Sequence, residues 1–128
     1  MIAPDFEALR LIAEATRAGF PEPFAGLAAD VRLVVEEWPD DALLDEMEIE
    51  SAYELTGVYD GLALTQRDPS HPEPPSTVTL FRRPILDEWA ERGDVELEAL
   101  VAHVTVHEFA HHFGWSDDDI AAIDEWWT

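Results

Sequence analysis

Residues 107–111 read His107-Glu108-Phe109-Ala110-His111, two imidazoles four positions apart with a carboxylate beside the first. On a helix, residues at that spacing project from nearly the same face, so both rings can approach one ion. Zinc accepts neutral imidazole nitrogens at roughly 2 Å, and a catalytic site needs three protein ligands plus water. Glu108 then points beside the ion, where its carboxylate can take a proton from the water that attacks a carbonyl.

The helix cannot supply a third ligand by continuing. His103, His107 and His111 form a ladder, but eight residues span about 12 Å of rise, too far for one ion. The chain has to turn, and Gly114 is the residue type that permits the positive φ such a turn commonly needs. Asp117, ten residues after His107, can then swing in with a carboxylate oxygen. Asp118 or a water are the rivals for that position, and the run Asp117-Asp118-Asp119 also suits a helix N-terminus on dipole grounds alone. The whole pattern is H-E-x-x-H-x-x-G-x-x-D.

Several elements must position these residues. Phe6, Leu9, Ile12 and Ala13 recur at helical spacing and predict an amphipathic helix over about residues 5–18. A short helical turn follows Pro23. The β-branched run at residues 31–35 reads as a buried strand. Residues 40–51 read as a short helix or an acidic surface loop. Residues 57–65 look like two extended runs about a turn at Asp60-Gly61, and 68–76, with four prolines, like a stiff loop. Thr77–Phe81 alternates and predicts another strand. Pro84 sits just inside a helix ended by Gly93. Asp94 is the expected cap of a long helix that runs to Gly114, and Ser116 of a terminal helix through about Trp126. The expected fold class is α+β, a small mixed sheet packed by helices, with the motif on a central long helix.

The 128 residues, 47% of them hydrophobic, suit one globular domain over residues 1–128. Without cysteine there is no disulfide scaffold, thiol nucleophile or thiolate metal site. Seven basic residues, all arginine, face 29 acidic ones, for a net charge of −22. Such a surface repels phosphate backbones, which argues against nucleic acid, and it attracts cations and basic peptides. Residues 1–19 lack the basic region and unbroken apolar core of a secretory signal, and no window has the length of a membrane span. The expected compartment is the cytoplasm, with no membrane association.

The extended motif resembles the zinc signature of zincin metallopeptidases in the variant with Asp as third ligand. More closely, the chain is similar to the minimal zincins, short bacterial proteins inferred to be zinc metallopeptidases. The likeness runs from about Phe20 to the last helix and includes residues 57–67, 78–85 and 107–117. It implies a zincin-like core, one Zn2+ held by His107, His111 and Asp117, Glu108 as catalytic base, and a peptide or protein substrate. A methionine turn, the mark of metzincins, is excluded: Met1 and Met47 both lie upstream of the motif. Eleven residues follow Asp117, so a shallow cleft is expected, with an extended substrate added to a sheet edge such as Thr77–Phe81.

Plainer readings stand beside these. His107 and His111 can be buried histidines on the apolar face of Leu100 and Val104. His112 reads as a surface or supporting residue, and His103 as core or as a supporting residue behind the metal ligands. Arg82-Arg83 balances charge at a strand end or grips a carboxylate. Tyr59, His71 and the arginine pair are the candidates for sharing developing negative charge, although a turn tyrosine packed on the sheet is the simpler role for Tyr59. Trp115, Trp126 and Trp127 read as packing residues, and the acidic run 40–50 as a solvated face. A different functional class also fits: a non-catalytic zinc-binding interaction module with an acidic surface.

Overall fold

A computed structural model of the chain describes residues 3–68, 70 and 75–115. The elements run α1 (Phe6–Ala18), α2 (Phe24–Ala28), β1 (Arg32–Glu36), α3 (Asp41–Glu46), β2 (Gly57–Asp60), β3 (Thr77–Phe81), α4 (Arg82–Arg92) and α5 (Leu97–His112). Short 3-10 turns occupy Ala52–Glu54 and Leu64–Gln66. This is the expected α+β arrangement of a small mixed sheet packed by helices. No described helix is long and apolar enough to cross a membrane.

The sheet has the order β1-β3-β2, with β1 parallel and β2 antiparallel to β3. The expectation that Thr77–Phe81 offers an edge to substrate is therefore corrected. That strand is central, hydrogen-bonded on both sides, and the edges belong to β1 and β2. A second correction concerns residues 57–65, which do not form a hairpin. β2 ends at Asp60 and pairs with β3, and the chain beyond Gly61 turns into Leu64–Gln66.

Caps and buried stripes explain the helices. Asp5 caps α1 by accepting the Ala8 N–H at 2.9 Å, and Leu9 and Ala13 are its fully buried residues. Arg17, in the last turn, pairs with Glu14, donates to the Ala28 and Val31 carbonyls, and lies 5.5 Å over the Phe109 ring. This one side chain ties α1 to the approach of β1 and to α5. Asp40 caps α3 through the Leu43 N–H. Gly93, with φ of 74°, ends α4 as expected, but α5 starts at Leu97 behind Glu96, so Asp94 is not its cap.

The main core lies between α1, α5 and one sheet face, with Leu9, Val78, Leu80, Leu100, Val101 and Phe109 all fully buried. A smaller cluster of Leu44, Leu55 and Phe81 packs on the other face beneath α3. Arg82 and Arg83 begin α4. Arg82 donates to Glu37 and to the Pro4 carbonyl, and Arg83 lies over Trp38, which is the charge-balancing role at a strand end. The terminal helix expected from Ser116, with Trp126 and Trp127, lies outside the described residues.

Candidate functional site

α5 brings His107, Glu108 and His111 into a cavity of about 630 Å3 whose opposite wall is β2. The two imidazole centroids are 5.0 Å apart and their planes stand at 80°. Nitrogen–zinc bonds of about 2 Å at a tetrahedral angle require ring centres about 5 Å apart, which is the separation of this pair. Glu108 is 9% exposed, and both histidines are half-buried. Among the described residues, no third histidine or carboxylate completes a metal-holding group with them. Asp117 and its rival Asp118 lie outside the described residues, as does His71.

Gly57 sets how closely helix and strand approach. A Cβ there would stand 2.9 Å from Val104 Cγ1 and 3.2 Å from Glu108 Cγ. Any larger residue would push β2 away from the carboxylate that the motif depends on. At the other end of the helix, Gly114 adopts φ of 88°. Its N–H donates to the His111 carbonyl and the Trp115 N–H to the Ala110 carbonyl, the paired bonds of a Schellman cap. The turn expected after the motif is therefore present, with the Gly114 Cα packed against Thr65.

Of the two sequence readings of His112, a surface or a supporting residue, the surface one is corrected. His112 is 3% exposed and lies behind the cavity in a chain of hydrogen bonds. Its Nε2 is 3.2 Å from the Leu27 carbonyl, which can only accept, so that nitrogen carries the proton. Nδ1 must then accept, and the Tyr59 hydroxyl donates to it at 2.8 Å. The Tyr59 hydroxyl also lies 2.8 Å from Ser76 Oγ and 3.2 Å from the Leu62 carbonyl, and Arg67 donates to both Ser76 and that carbonyl. Burial holds the His112 pKa below the ordinary imidazole value. The Arg67 guanidinium acts in the same direction, and the bond to Leu27 opposes both.

This chain of bonds settles the role of Tyr59. Its ring lines the cavity, but its hydroxyl is taken up by His112, Ser76 and the Leu62 carbonyl, away from any substrate oxygen. Arg82 and Arg83 do not line the cavity either. The donors that do so among the described residues include Thr56, His103, 6.2 Å from His107 by ring centres, and Arg92, whose Nε donates to Glu88 at 2.9 Å. His103 is half-buried and faces the cavity instead of joining the core. Arg92 was not singled out in the sequence. Its only signal was the place of a lone cation in the last turn of α4, one loop before the motif helix.

Compared with known families, residues 28–127 match the model for zincin-like metallopeptidases. No curated protein matches the chain.

Proposed function

Because the chain belongs to the zincin-like metallopeptidase family, whose members bind zinc in general, we propose that it hydrolyses peptide bonds with one zinc ion. His107, His111 and Asp117 hold the ion in this reading, and Glu108 is the general base. The observation that carries it is the pair of imidazoles at tetrahedral spacing beside a buried glutamate, in a cavity walled by a strand edge. Zinc, when bound, supplies Lewis acidity that polarises a carbonyl and acidifies water.

The chain's own residues do the rest. Glu108 takes the proton from the attacking water on its carboxylate and returns it to the leaving amine nitrogen. Burial against Gly57 keeps that carboxylate in place. His103 and Arg92 are the groups placed to share developing negative charge at the carbonyl oxygen.

The substrate backbone belongs on β2. The Phe81 N–H donates to the Thr56 carbonyl, so alternation along the ladder turns the main-chain groups of Val58 and Asp60 toward β3. Those of Gly57 and Tyr59 face the open edge, beside the cavity. An extended peptide adds there as a fourth strand. Folded proteins present few such segments, so short or flexible peptides are the favoured substrates.

A zinc-loaded protein that cleaves a peptide mixture, and a Glu108→Gln variant that keeps its zinc but does not cleave, are the results this reading requires. Zinc bound with no cleavage by either protein favours the non-catalytic zinc-binding interaction module instead.

A further inference from the structure

A second groove, of about 550 Å3, lies on the other side of β2, between α3 and the sheet face turned away from α5. Its floor is apolar at Val58 and Leu43 and carries Thr77 and Thr79 beside them, with Phe81 buried beneath. Its rim carries the carboxylates of Glu36, Asp40, Glu46 and Asp60, and no arginine or histidine lines it among the described residues. The groove opens next to the catalytic cavity, since Met47, Val58 and Tyr59 line both.

Strand alternation connects the two spaces. Gly57 and Tyr59 point toward α5, so Val58 and Asp60 point to the opposite face. A peptide paired with the open edge of β2 alternates in the same way. Each side chain turned to the catalytic cavity is flanked by neighbours turned to the groove. The occupant that fits has a long aliphatic stem to cover the half-buried Val58 and Leu43 and a cationic head to reach the carboxylates.

We infer that this groove is a specificity pocket for a lysine or arginine side chain of the substrate, one position from the residue that faces the catalytic cavity. The inference rests on the peptidase reading for the presence of a peptide at that edge. General acidity would not single out the groove, because a net charge of −22 draws cations to the whole surface. The conjunction of acidic rim, apolar floor and strand register does.

The test uses the zinc-loaded Glu108→Gln protein and extended hexapeptides carrying lysine or its uncharged analogue norleucine at a single position. The lysine peptide binds about tenfold more tightly, as a few partly screened charge pairs would give. Moving the lysine along the peptide confines that preference to alternate positions. Combined Glu36→Gln, Glu46→Gln and Asp60→Asn substitution removes it, Asp40 being spared because it caps α3. Combined Glu22→Gln, Asp30→Asn and Glu98→Gln substitution, at exposed sites lining neither space, preserves it. Equal binding of the two peptides, a preference blind to position, or equal loss in both variants overturns the inference. Cleavage by the wild-type protein is read separately: position-dependent lysine binding without hydrolysis keeps the pocket and ends the peptidase reading.

Discussion

His111 and His112 are consecutive on α5, yet they belong to different regions. His111 is half-buried, faces the cavity and stands at zinc-binding distance from His107. His112 is buried behind it, with both nitrogens taken by Tyr59 and Leu27. Helix geometry turns neighbouring side chains about 100° apart, which is enough to put one in solvent and the other in a polar network. What separates the two histidines is therefore the set of groups that other elements present to them. One region lines the cavity, and the other holds α5 against β2 at Tyr59.

The largest effect that bears on this contrast is chemical. Glu108→Gln lowers kcat by about 10²–10⁴-fold, as loss of a general base does, with zinc content unchanged by metal analysis. The paired substitutions come next. With free zinc at about a hundred times its Kd, a zinc-binding chain gains about 2.7 kcal/mol. His111→Ala abolishes that gain and leaves the metal-free melting curve nearly unchanged. His112→Ala does the reverse, losing about 2–3 kcal/mol without metal while keeping most of the gain. Similar phenotypes for the two would erase the distinction between the regions.

Gly57→Ala costs about 1–3 kcal/mol in denaturant titrations and lowers hydrolysis further, because the added methyl meets both Val104 and Glu108. Tyr59→Phe removes the donor to His112 and costs about 1 kcal/mol by the same titrations. The smallest effect is on pH dependence. Below the free imidazole value of about 6.5, the unfolded chain takes up a proton that buried His112 resists, since its folded pKa is lowered. Its contribution is complete above that value and is lost as pH falls through it. Melting temperatures against pH, wild type minus His112→Ala, should narrow on acidification.

Much of the scaffold was legible in the sequence because it is written locally. The helical recurrence of Phe6, Leu9, Ile12 and Ala13 marked α1, alternation marked β3, and Gly93 and Gly114 ended the helices where their φ angles require glycine. The motif on α5 was legible for the same reason, since helical spacing alone puts His107 and His111 on one face. Long-range information was not legible. Nothing in Thr77–Phe81 says that it would be flanked on both sides, because strand order depends on partners far along the chain. Nothing beside His112 says that Tyr59, 53 residues earlier, fills its Nδ1. Residues 57–65 misled for a related reason: a turn signal at Asp60-Gly61 does not reveal that the preceding run already has its partner in β3.

The parallel pairing of β1 with β3 sets Arg32 opposite Thr77, 45 positions later, with β2 delivered inside that long loop. Closing it carries an entropic penalty that local helix formation does not, so the sheet is the slow part of assembly. α5, by contrast, needs only its own neighbours to bring His107 and His111 together. The spacing of the two rings is therefore set locally, whereas the cavity they face exists only once β2 has docked on β3.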